Sequence, residues 1–137
     1  MNIHHVTLPV TDLERSKRFY SEILGLPEIE RPPFDFPGAW FAVGDGGNQL
    51  HLLVSESPTF RDGKGLDSRD VHFGIRVPSY RNAKAELEAK GYSTEKDPDD
   101  LLALKASSQP TAGFPQLYIL DPDRHVIEIN AEALDSD

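Results

Sequence analysis

The chain repeats itself, and the repeat sets ligand-type side chains at matching positions. Residues His5-Val6-Thr7-Leu8-Pro9-Val10 return 67 positions later as His72-Phe73-Gly74-Ile75-Arg76-Val77. Each copy is an alternating stretch that opens on histidine and runs into a helix-like segment. A second stretch, Phe41 to Leu52, returns 77 positions later as Tyr118 to Ile129, and reads as a hairpin both times. In this alignment His51 falls on Glu128 as His5 falls on His72. Two halves related by a pseudo-twofold would bring two matched pairs of imidazole and carboxylate groups toward one axis, which is how a metal site is assembled.

Composition narrows the chemistry. The length, 137 residues, is that of one domain, 1–137, with module 1 at about 1–55, a linker at about 56–69 and module 2 at about 70–131. Without cysteine, only His, Asp and Glu remain as strong metal ligands. A net charge of −9 repels phosphate backbones, so nucleic acid is not expected as a partner. No apolar run reaches the roughly 18 residues of a membrane span, and the chain opens directly on a strand. The expected location is therefore the cytoplasm, away from membranes.

The local pattern supports two βαβββ modules. Residues 3–10 alternate as a half-buried strand, Asp12 caps a helix and Gly25 ends it. Two short β-rich segments follow near 27–31 and 39–43, and Gly44-Asp45-Gly46-Gly47 turns the chain into a strand at 48–54. Residues 55–69, with Pro58, Gly63 and Gly65, have no periodicity and separate the modules. The second module repeats the order: strand 71–77, a helix across 79–90 ended by Gly91, strand 92–96, and a hairpin turning at Asp121-Pro122-Asp123. The polar stretch 97–113 is long for a compact domain and is a candidate substrate loop. The acidic tail reads as a short frayed helix.

On a strand, side chains two apart share a face, so Gln49 and His51 lie opposite Leu50 and Leu52. Glu128 lies opposite Ile127 and Ile129 and shares its face with Val126, an apolar surround in which a carboxylate needs a partner. A divalent cation held by His5, His51, His72 and Glu128 would supply one. His4 and His125 fall out of phase and read as surface residues. Tyr118 lies ten residues before Glu128 on the facing strand, either as a hydroxyl reaching a metal-bound oxygen or as a plain aromatic. Thr7 shares the face of His5, as a substrate hydrogen-bonding group or a β-branched filler. Trp40, Phe34 and Phe36 read first as packing, with Trp40 a candidate substrate wall.

Taken together, His5-Val6-Thr7-Leu8-Pro9-Val10-Thr11-Asp12, Phe19-Tyr20 with Leu24-Gly25-Leu26, His72-Phe73-Gly74-Ile75, and Leu120-Asp121-Pro122-Asp123 running to Ile127-Glu128 resemble the vicinal oxygen chelate superfamily. That superfamily includes glyoxalase I, methylmalonyl-CoA epimerase, extradiol dioxygenases and fosfomycin-resistance proteins. The resemblance covers essentially the whole chain. It implies an α+β fold in which paired βαβββ modules form an open, cup-shaped mixed sheet around one divalent metal (Zn, Ni, Mn or Fe(II)), commonly in a homodimer. On the motif positions it implies His5, His72 and Glu128 as the most regular ligands.

Departures from the members' patterns separate the activities. Glyoxalase I carries a glutamate where this chain has His51, so His51 is open to two roles, ligand or general base. Epimerase-like members use a glutamine ligand on this strand, as Gln49 would be. Extradiol dioxygenases carry a tyrosine ten residues before the glutamate, as Tyr118 is here, but their further catalytic histidines find no match in 107–117, and Arg124 stands where they have a glycine. Fosfomycin-resistance proteins resemble this chain at Thr7 and Tyr118 but carry a potassium loop it lacks. The expectation is a metal-dependent lyase or isomerase, glyoxalase-like, acting on a small oxygenated carbonyl substrate through a stabilised oxyanion. The alternatives are an iron(II) dioxygenase, a fosfomycin-resistance-like transferase and a metal-free antibiotic-binding protein of the bleomycin-resistance kind.

Overall fold

The computed structural model describes residues 1–57, 61–108 and 111–135. Pro58 of the expected linker, Pro110 of the polar stretch and the last two residues of the acidic tail lie outside the described residues. The chain divides into two compact units, Met1–Asp62 and Gly63–Asp137, each a βαβββ module with its own open, mixed four-stranded sheet.

In the first unit β1 (His5–Val10) leads into α1 (Leu13–Arg18), which runs on as a π-helical turn over Phe19–Ile23. The Asp12 side chain accepts the Arg15 N–H at 3.1 Å and caps α1. Gly25, at φ 69°, ends the helical stretch in the left-handed region that glycine adopts without steric cost. Then follow β2 (Glu28–Ile29), β3 (Gly38–Val43) and β4 (Asn48–Val54), in the sheet order β1-β4-β3-β2. Val10, Ala39, Phe41, Leu50 and Leu52 are buried on one face, and the Tyr20 ring lies 6.1 Å from that of Phe41. Packing against the helical stretch thus takes the leucine face of β4 and leaves the His51 face to the site.

The second unit repeats this with β5 (His72–Arg76), α2 (Tyr80–Ala89), β6 (Lys105–Ser107), β7 (Gln116–Leu120) and β8 (Val126–Asn130), ordered β5-β8-β7-β6. The parallel register repeats as well. Thr7 pairs with His51 in the first sheet, and Gly74 with Glu128 in the second. Leu117, Ile119, Ile127 and Ile129 are buried on the face away from Glu128.

Three local features differ from the sequence reading. Residues 92–96 do not form a strand: the Ser93 hydroxyl accepts the Glu95 N–H at 3.1 Å, which turns the backbone and leaves one bridge, Ser93 to Ala103. The outer strand is β6 instead, inside the stretch expected to be a loop. Residues 131–135 form no helix; Asp135 accepts from the Ser79 hydroxyl at 2.6 Å and from the Arg81 N–H at 2.8 Å, fixing the tail at the start of α2.

The third feature is the length of the hairpin turns. Four residues lie between Val43 and its partner Asn48, and five between Leu120 and Val126. The longer turn shifts the antiparallel register by one, so Trp40 faces His51 while Tyr118 faces Glu128. The structural counterpart of Tyr118 is therefore Trp40, not Phe41. Asp121, fully buried, holds this turn by accepting the N–H groups of Asp123 at 3.0 Å and His125 at 2.8 Å. Arg124 occupies the left-handed position at φ 67° and donates to the carbonyls of Lys64 and Asp99, both at 2.9 Å. No described helix is long and apolar enough to cross a membrane.

Candidate metal centre

In the first unit the strand pairing sets His51 between two rings. Trp40, directly across on β3, stacks on it at 4.0 Å and 3°, and His5 on β1 stacks on the other side at 4.1 Å and 15°. His51 Nε2 donates to Gln49 Oε1 at 2.8 Å. The ring is buried, and burial first, then its neighbours His5, His4 and Arg31, hold its pKa down at about 4. At neutral pH it is an uncharged imidazole with a lone pair, the form a metal takes. His5 and Thr7 lie exposed on this face. His4 is also exposed, with its Nδ1 2.9 Å from that of His5. Phe34 and Phe36 are partly exposed and stacked at 5.0 Å, and Phe34 lies 6.2 Å from Trp40.

In the second unit Glu128 is 7% exposed and is held by neutral donors. Its Oε1 accepts from Gln116 Nε2 at 3.1 Å and its Oε2 from Asn130 Nδ2 at 2.5 Å. Val126, Leu120 and Tyr118, which cluster together, share the face of Glu128 with the carboxamides of Gln116 and Asn130, so the apolar surround expected from sequence is corrected to a mixed one. Among the described residues no Lys or Arg pairs with this carboxylate. Burial, and after it the hydrogen bond to Glu128, push the Tyr118 phenol up to about 12, so it remains a donor throughout the neutral range.

The His72 ring tests whether a cation suits this carboxylate. His72 Nδ1 donates to the Asp70 carbonyl at 2.7 Å, which leaves Nε2 as the lone-pair nitrogen of the neutral ring, and Nε2 lies 3.4 Å from Glu128 Oε1. With the ring neutral, two electron-pair donors would face each other. A proton or a metal ion between them resolves that repulsion, and a ligating histidine ordinarily donates its other N–H to a carbonyl in just this way. One imidazole nitrogen and one carboxylate oxygen, donors of the type a divalent metal accepts, thus stand together.

The structure thus brings together His5 with His51, and His72 with Glu128. Among the described residues no three His, Asp or Glu side chains form a metal-holding group. His125, read as a surface residue, is buried behind the Asp121 turn. Sequence reasoning passed over Asn130, Gln116 and Arg31. Asn130 carries a signal that was available, since it stands two positions beyond Glu128 and shares its face.

Comparison with known proteins bears on the chemistry. A family model described as the Glyoxalase/Bleomycin resistance protein/Dioxygenase superfamily matches residues 2–129. The chain is 30% identical over 137 aligned residues to Glyoxylase I 4 of Arabidopsis thaliana, covering 97% of this chain and 72% of that one. Its fold is similar to that of a glyoxalase family protein from Bacillus anthracis, with TM-score 0.71, 22% identity, and 96% and 94% of the two chains covered. It is also similar to the fosfomycin resistance protein FosX of Listeria monocytogenes, a mutant of which was solved with Mn(II) and a dihydroxypropylphosphonic acid, with TM-score 0.67, 19% identity, and 97% and 93% covered.

Proposed function

Because the chain belongs to the Glyoxalase/Bleomycin resistance protein/Dioxygenase superfamily, we propose that it is a divalent-metal-dependent, glyoxalase-like lyase or isomerase acting on a small oxygenated carbonyl substrate. The observation that carries the metal is the approach of His72 Nε2, its ring oriented through Nδ1 by the Asp70 carbonyl, to within 3.4 Å of the Glu128 carboxylate. In this reading His5, His51, His72 and Glu128 are the donors. The Mn(II) bound to FosX and the name of the plant relative support a divalent ion and lyase-type chemistry.

When bound, such an ion supplies Lewis acidity that stabilises negative charge developing on a bidentate oxygen substrate. The protein's own groups do the rest. Glu128, fixed by Gln116 and Asn130, presents Oε1 on the His72 side. Tyr118 keeps its proton and donates it in a hydrogen bond, to Glu128 in the resting protein and to a substrate oxygen on the same face. Thr7 and Gln49 offer polar contacts to the substrate, and Trp40 a wall that sets His51 in place.

A second reading has a specific observation behind it: Tyr118 stands directly across from Glu128, the tyrosine placement resembling an iron(II) extradiol dioxygenase. Protein reconstituted with Zn, Ni, Mn or Fe(II) and assayed against hemithioacetals, catechols, and fosfomycin with a thiol separates these. Metal-dependent turnover of a hemithioacetal supports the proposal. Ring cleavage of a catechol by the iron form would replace it with the dioxygenase, thiol transfer to fosfomycin with the transferase, and tight antibiotic binding without metal with a sequestering protein.

A further inference from the structure

The Asn130 contact on Glu128 is one end of a longer relay along the polar face of the second sheet, which reaches Arg76. Arg76 Nε donates to Asn130 Oδ1 at 2.6 Å, and Asn130 Nδ2 donates to Glu128 Oε2 at 2.5 Å. The guanidinium also lies over the Phe114 ring, 4.8 Å from its centroid, which limits its rotation. We propose that Asn130, its amide locked by Arg76, is the positioning residue that tethers Glu128 Oε2 and so presents Oε1 to His72. The inference rests on the reading of Glu128 and His72 as metal donors.

Arginine carries only donors, so the Asn130 oxygen must face it and the NH₂ must face the carboxylate. A flipped amide would set N–H against N–H and oxygen against carboxylate oxygen, two repulsions in place of two bonds. The orientation is fixed by chemistry at both ends. An arginine paired directly with Glu128 would neutralise the charge that a cation needs. The amide passes on the orientation and keeps the two charges apart.

The backbone makes room for this pair. Gly74 lies opposite Glu128 in register, and a Cβ there would stand 3.2 Å from both Asn130 Nδ2 and Glu128 Oε2. Thr7 holds the equivalent position in the first unit, where no such pair exists. The glycine is thus explained by the space that the Asn130–Glu128 pair needs.

The test uses the full chain in wild-type, Asn130→Leu, Arg76→Leu and Arg76→Lys forms, with zinc affinity measured by chelator competition and melting temperature measured without metal. Asn130→Leu should weaken zinc binding by about 10- to 100-fold, the usual scale for removing a residue that orients a ligand. Arg76→Leu should weaken it by roughly tenfold and Arg76→Lys by less, because the lysine still demands the amide oxygen. Side-chain NMR of the metal-free protein gives the independent readout: slowly exchanging Asn130 NH₂ protons in wild type that lose protection in Arg76→Leu. Equal zinc affinity in wild type and a folded Asn130→Leu would overturn the relay and leave the metal reading standing. A wild type that binds no zinc, manganese or iron would sink the metal reading. In that case unchanged Asn130 protection in Arg76→Leu would overturn the lock as well.

Discussion

At the scale of single residues, the neighbours of His51 bear on which of its two roles it takes. Clamped between Trp40 and His5, with its pKa held at about 4, it is a weak base near neutrality, which favours the ligand role. In His51→Gln, metal binding should weaken and activity should partly recover at high metal concentration, since an amide oxygen still coordinates. Full metal occupancy with turnover depressed by roughly 10²–10⁴-fold would make His51 the general base instead. Tyr92 gives a prediction away from the site. Burial, then the nearby Asp121, push its phenol from 10.0 to about 12. Its contribution to stability is whole below pH 10 and is lost as pH rises toward 12, because the unfolded chain releases that proton first. Tyr92→Phe should therefore flatten the alkaline fall of the urea midpoint across that window, and an unchanged slope would refute the assignment. The paired offsets single out His5, His51, His72 and Glu128 as candidate donors. The offsets say nothing of Asn130, whose counterpart is Leu53; its one signal is its place two residues beyond Glu128 on the same strand face.

At the scale of elements, alternation and caps were enough to place most of the fold. Asp12, Gly25 and Gly91 each act at a helix end as their chemistry dictates. The strand expected at 92–96 failed because a local side-chain bond from Ser93 outcompeted ladder pairing, and no period in the sequence reports that competition. The one-residue difference between the hairpin turns was hidden for another reason. Aligning the copies without a gap matched Phe41 to Tyr118, and only the registers show that the fifth turn residue shifts one strand. That turn depends on Asp121, so Asp121→Ala should cost about 1–3 kcal/mol by leaving the Asp123 and His125 N–H groups unsatisfied. Urea unfolding measures this, and a loss well under that range would mean the turn is held chiefly by the Arg124 bonds.

At the scale of the whole molecule, each unit has an open sheet, and partly exposed apolar groups such as Phe34 and Phe36 remain for a partner to cover. We expect a homodimer, the assembly that the family resemblance implies. A sedimentation mass that stays near 15.3 kDa at all concentrations would contradict it. A metal titration of wild type beside His72→Ala tests whether the proposed donors hold a divalent cation. We expect one tightly bound equivalent per wild-type chain, an affinity lower by orders of magnitude in the variant, and a melting temperature that falls on chelation only in wild type. Equal metal retention by both proteins after dialysis would contradict it.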